Sequence, residues 1–121
     1  MTKSRKSWDE KNSIYEEAIW RWGPTRQILQ TLEELTELQK ELIKFINRGK
    51  DNKKEIAEET ADVLIMLDQL MYIFKNALEV DEIVEQKLTR LEEKLISKRK
   101  EHPEGEIKLP FSFKIIGKKG E

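Results

Sequence analysis

An all-α fold is what this 121-residue chain predicts, and three observations carry it. Apolar residues recur at intervals of three and four, the spacing that gathers them on one helix face. The stretches that carry them are bracketed by capping or breaking residues, Ser, Asn or Asp before and Gly or Pro after. The connections between them are short and polar.

Ser13 with Glu16 reads as a capping box, and Ile14, Ala18 and Trp22 at helical spacing make a short first helix that Gly23-Pro24 stops. A second helix is expected from near Thr25 to about Arg48, with Ile28, Leu32, Leu35, Leu42 and Ile46 on one stripe and Gly49 as terminator. Asn52 with Glu55 is another capping box, opening a third helix from about Lys53 to Asn76 or Ala77. Asp81 is expected to cap a fourth, whose stripe of Val84, Leu88, Leu91 and Leu95 runs until His102-Pro103. After that the pattern changes, with Ile107, Leu109, Phe111, Phe113 and Ile115 alternating with other residues while Pro110 and Gly117 interrupt. This tail reads as an extended arm, a short hairpin or an unstructured end. The expected architecture is a four-helix bundle-like domain over 1–102 with an extended C-terminal tail over 103–121.

Composition narrows the function. Lys+Arg 23 against Asp+Glu 24 gives a formal net charge of −1, which argues against polymeric nucleic acid as a partner. There is no cysteine and one histidine, His102, so thiolate and multi-histidine metal sites are excluded within one chain. Met1 to Ser7 is basic but Trp8-Asp9-Glu10-Lys11 follows in place of an apolar run, so no secretory signal, no membrane span and a cytoplasmic location are expected. With 39% charged residues there is little apolar mass for a core, and the third helix is apolar nearly all the way round. A homodimer or homotetramer, with that helix near the interface, is expected to complete the burial.

Two carboxylate clusters stand out: Glu33-Glu34-Leu35-Thr36-Glu37 and Glu58-Glu59-Thr60-Ala61-Asp62. Glu34 with Glu37, and Glu59 with Asp62, are three residues apart, so each pair offers oxygens on one helix face. Glu59 and Asp62 share their turn with Val63 and Met66, where like-charge repulsion and desolvation both cost energy. Mg2+, a hard cation that takes oxygen ligands, would offset both. For the first cluster the competing reading is a solvated acidic face, because Glu33, Glu37 and Glu41 lie opposite the leucine stripe. Asp68 and Gln69 read as a narrow polar edge or an inter-subunit hydrogen bond.

Cations and aromatics supply the rest of a candidate site. Lys87, Arg90, Lys94 and Lys98 align on the fourth helix, either as a phosphate grip or as partners of neighbouring glutamates. Lys50, Lys53 and Lys54 precede the second acidic cluster and could add to that grip. Trp8, Trp20, Trp22 and Tyr15 are expected mostly in core or interface, with one or two free to stack on a base, and Gln27 or Gln30 to hydrogen-bond its edge.

Glu33-Glu34-x-x-Glu37 followed on the next helix by Glu59-x-x-Asp62, with Trp22-Gly23 and Gln27 upstream and Lys87 and Arg90 downstream, resembles the MazG-like all-α nucleoside triphosphate pyrophosphatase superfamily, in its short phage and Gram-positive bacterial form. The resemblance spans roughly Ser13 to Leu95. It implies hydrolysis of an NTP or dNTP to the monophosphate and pyrophosphate. Glu34, Glu37, Glu59 and Asp62 would hold Mg2+, with Mn2+ as a substitute, and Glu33 would orient water or act behind the ligands. Substrate contacts would come from Trp22, Gln27, Lys54, Lys87 and Arg90. Where many members carry an asparagine shortly before the downstream lysine, this chain has Glu85-Gln86. The alternative is a non-catalytic nucleotide-binding or regulatory oligomer of the same fold.

Overall fold

The computed structural model describes residues 4–101, and the expectations for the 103–121 tail lie outside them. Four helices follow one another: α1 (Trp8–Trp22), α2 (Pro24–Arg48), α3 (Lys53–Phe74) and α4 (Ala77–Glu101). No strand occurs among the described residues. The chain divides into two compact units, one ending at Glu82 and the other beginning at Ile83.

α1 opens at Trp8, six residues ahead of Ile14, because a second capping box lies upstream. Glu10 N donates to Ser7 Oγ at 3.1 Å, and Ser7 N donates to Glu10 Oε1 at 2.7 Å. That start also sets Asp9 and Glu10 in the first turn, where the helix dipole favours negative charge. α1 stops at Gly23, whose φ of 90° suits glycine and whose N–H reaches Ile19 O at 2.8 Å. Pro24 then opens α2, where its missing N–H costs nothing.

At the start of α3 the expected box does not form. Asn52 is fully buried, and its Nδ2 turns back to donate to Glu41 O at 2.9 Å and Glu41 Oε1 at 2.7 Å. α4 begins at Ala77, with Asp81 inside it, since Val80 N already bonds Asn76 O at 2.9 Å. Lys75, in the left-handed region at φ 54°, ends α3 just before.

In the first unit α1, α2 and α3 pack on one another, α2 against α3 most extensively. The buried apolar residues are Tyr15, Val63 and Met66; Gln27, Thr31, Asn52 and Gln69 are buried polar. A core with more polar than apolar members must bond its polar groups. Gln27 Nε2 donates to Gln69 Oε1 at 2.8 Å, Thr31 Oγ1 to Gln27 O at 2.9 Å, and Tyr15 OH to Asp68 Oδ2 at 2.9 Å. Asp68 and Gln69 therefore both take part in hydrogen bonds within the chain, Asp68 half-buried and Gln69 buried.

The helical-wheel expectation for α2 holds only at Ile28. The shielded residues of α2 are Gln27, Ile28, Gln30, Thr31, Glu34, Leu38, Glu41, Lys44 and Phe45, a polar-rich series. Leu32, Leu35, Leu42 and Ile46 are all more than 40% exposed. Leu64 and Ile65 of α3 are likewise exposed, and no residue of α4 is buried. Trp8, Trp20 and Trp22 are also exposed, contrary to a core placement, while Lys11 and Arg21 lie 5.6 and 5.7 Å over the rings of Trp8 and Trp20. No helix of the described residues is long and apolar enough to cross a membrane.

Candidate metal centre

Packing of α2 on α3 brings Glu34 to Glu59 and Asp62, and one carboxylate oxygen from each lies within 4.8 Å of the others. Glu34 and Glu59 are half-buried and Asp62 is exposed. The two α3 carboxylates meet because they are three residues apart on one helix. Glu34 meets them only if the helices keep their register, and two polar clamps hold it. Gln27–Gln69 lies seven residues before Glu34 on α2 and seven after Asp62 on α3. Glu41–Asn52 lies seven after Glu34 and seven before Glu59. A seven-residue interval is two helical turns, so both clamps share the face that carries the acids.

Charge has accumulated at this point. The Glu59 carboxyl is pushed above the usual carboxylate range, first by burial and then by Asp62, Glu34, Glu37 and Glu41. Glu41 moves the other way, held low by the bond from Asn52 and then by Lys44, whose Nζ is 3.2 Å from its Oε2. Gln30 Nε2 donates to Glu34 Oε2 at 2.8 Å and orients it. The donor set is all carboxylate oxygen, the chemistry a hard divalent cation takes, and Mg2+ binds such oxygens at about 2.0–2.1 Å. Oxygens within 4.8 Å of one another need only small side-chain rotations to close on such an ion.

The other expected site residues fall in different places. Glu37 stands outside the three-carboxylate group, about half exposed and 3.6 Å from Lys40 Nζ, although its charge still reaches Glu59. Glu33 is exposed and lines a cavity of about 440 Å³ with Leu29, Leu32, Glu34, Thr36 and Glu37. Trp22 and Gln27 line a second, of about 360 Å³, with Arg26 and Gln30. Lys54 is exposed in the first turn of α3. Lys87 and Arg90 are exposed on α4 in the second unit. A wider cavity of about 780 Å³ lies at the end of α3, lined by Trp8, Asn12, Asp68, Tyr72, Asn76 and others, and includes none of the clustered acids.

Sequence reasoning missed Asn52 and Gln69 as the clamps and Arg26 beside Trp22. The signal was present: polar residues recur every seven positions at 27, 34 and 41, where a helix packed through leucine would carry apolar ones. No family model, curated protein or solved structure matches this chain.

Proposed function

We propose that this chain is a Mg2+-dependent nucleoside triphosphate pyrophosphohydrolase of the MazG-like type, splitting an NTP or dNTP into the monophosphate and pyrophosphate. The observation that carries it is the convergence of Glu34, Glu59 and Asp62 from two helices onto one point, with the Glu59 carboxyl held high by burial and then by the surrounding carboxylates.

Glu34, Glu59 and Asp62 would hold the cation, and Glu37, whose charge already reaches Glu59, would join them on release from Lys40. A divalent ion bound there supplies charge neutralisation for the phosphate oxygens and makes water easier to deprotonate. Glu33, the residue before Glu34 on α2, orients the water that attacks the α-phosphorus. The α–β anhydride bond breaks and pyrophosphate leaves with the electron pair. Lys54 neutralises the β- and γ-phosphates, and Lys87 and Arg90 add to that grip from a neighbouring subunit. Trp22 and Gln27 meet the base; because Gln27 Nε2 is bonded to Gln69, its role there is to shape the cavity floor. The exposed stripes of α2, α3 and α4 are what a homodimer or homotetramer would cover.

The test is a panel of NTPs and dNTPs with Mg2+ or Mn2+, with pyrophosphate and orthophosphate measured separately. Pyrophosphate release is expected from the parent chain and lost in Asp62→Asn and Glu37→Gln variants that remain helical. Saturable metal and nucleotide binding without release would instead establish a non-catalytic binding module. The absence of saturable metal binding would overturn the site itself.

A further inference from the structure

The cavity at the corner between α1 and α2 has a chemistry of its own. Trp22 is the last residue of α1, and the Gly23-Pro24 corner carries the chain directly into Arg26, Gln27 and Gln30. Trp22 is 63% exposed, so its ring face is available. Among the described residues Arg26 has neither an ion pair nor a side-chain hydrogen bond, whereas Arg21, on the α1 side of the corner, is paired with Glu17 at 2.8 Å. The carboxamides are partly committed: Gln27 Nε2 donates to Gln69 and Gln30 Nε2 to Glu34. The strong unengaged donor lining this cavity is therefore the Arg26 guanidinium, next to an aromatic face.

That combination suits a base better than a phosphate chain. A triphosphate brings about four negative charges and needs several cations, while here there is one, beside carboxamides and an indole. A flat heterocycle stacks on an aromatic face. The guanidinium is a planar fork of donors that matches two adjacent acceptors on one edge. Guanine presents such a pair at N7 and O6, and cytosine at N3 and O2. Adenine places an amino group beside N7, and uracil sets an N–H between its oxygens. The position also fits. Arg26 precedes Glu34 by eight residues, about 12 Å along the helix at 1.5 Å per residue, a span comparable with that from the α-phosphate to the far edge of a base.

We propose that this cavity selects the base, with Trp22 stacking on it and Arg26 reading a pair of adjacent acceptors, so that guanine or cytosine nucleotides are preferred over those of adenine and uracil. The inference rests on the reading of the carboxylates as a triphosphate-hydrolysing site.

Its test is kcat/KM for GTP, CTP, ATP, UTP and 7-deaza-GTP with Mg2+, for the parent chain, Arg26→Ala and Arg26→Lys. GTP or CTP is expected to exceed ATP and UTP by about tenfold to a hundredfold, the range of one bidentate contact. That ratio should fall close to unity in Arg26→Ala and recover little in Arg26→Lys, which has no fork. A loss on going from GTP to 7-deaza-GTP identifies the guanine edge; equal rates for those two with CTP preferred identify the cytosine edge. Parent ratios within about twofold across the bases, or a preference that survives Arg26→Ala, would overturn the inference while leaving the hydrolase reading in place. If nothing is hydrolysed, that reading falls, and quenching of tryptophan fluorescence by GMP, CMP, AMP and UMP decides the base preference alone. Equal quenching by all four, or quenching unchanged in Trp22→Leu, then counts against the cavity.

Discussion

Replacing Asn52 by alanine tests whether the register of α2 against α3 depends on a polar clamp. The side chain is fully buried, and its Nδ2 makes two bonds to Glu41, at 2.9 Å to the carbonyl and 2.7 Å to the carboxylate. A neutral hydrogen bond contributes about 1 kcal/mol net and one to a charged group about 1.5–3 kcal/mol. Asn52 Oδ1 is buried without a partner among the described residues, so its loss recovers about 1 kcal/mol of desolvation. The net expectation is a destabilisation of roughly 1.5–3 kcal/mol, or a Tm lower by about 6–12 °C at fixed protein concentration. The effect should depend on pH with a definite sign. Glu41 is held below its ordinary 4.5, so the part it shares with Asn52 is present above that value and is lost as pH falls through the depressed one. The difference between parent and variant should thus be larger at pH 7 than at pH 3, as measured by urea melts at both. Asn52→Asp should be worse than alanine at pH 7, because it removes the donor and sets a second carboxylate beside Glu41. A loss below about 0.5 kcal/mol, or one equal at both pH values, would refute the clamp.

Glu59→Gln should flatten the pH dependence of the metal-free protein: a carboxyl raised above 4.5 is less destabilising when protonated, so stability in EDTA should fall as pH rises from about 4.5 through its elevated value, and the variant should lack that fall. Tyr15 is pushed up to about 12 by burial and then by its bond to Asp68, so its contribution is intact below pH 10 and lost as pH rises through about 12; circular dichroism should show alkaline unfolding in that window for the parent chain and not for Tyr15→Phe. Leu35→Asp with Leu42→Asp should lower the oligomeric mass seen by light scattering while the helical signal persists, since both side chains are more than 40% exposed within one chain. Lys87→Ala and Arg90→Ala should each cost about tenfold to a hundredfold in kcat/KM with little change in metal affinity measured without nucleotide, as expected of a bond to a charged phosphate.

The helices themselves were legible because their punctuation is local. Gly23-Pro24, Gly49 and the Asn52-Lys53 step placed α2 and the start of α3 to within a residue. The missed starts of α1 and α4 have the same cause, a choice between two nearby signals: Ser7 against Ser13, and Asn76 against Asp81. The face of α2 was misread for a different reason. A stripe of leucine at helical spacing states that a surface wants covering, not whether the cover comes from the same chain, and here α3 meets the polar face. The acids of both helices were legible from spacing, but their meeting was not, because Glu34 reaches Glu59 and Asp62 only through the packing of α2 on α3.

That packing explains why the face is polar. Apolar side chains at heptad intervals interlock almost equally well after a slip of one repeat, and dispersion contacts are too nondirectional to forbid it. A buried carboxamide pair is directional, and losing its partner leaves an unsatisfied group at a cost of about 1–3 kcal/mol. With Gln27–Gln69 on one side of the acids and Glu41–Asn52 on the other, a slip of a single turn, about 5.4 Å, breaks both clamps at once. The same slip would carry Glu34 out of reach of Glu59 and Asp62, whose oxygens gather within 4.8 Å. A weaker, polar contact between α2 and α3 is thus the arrangement that makes the carboxylate site depend on one register, and it leaves the leucine stripe of α2 free to face another surface.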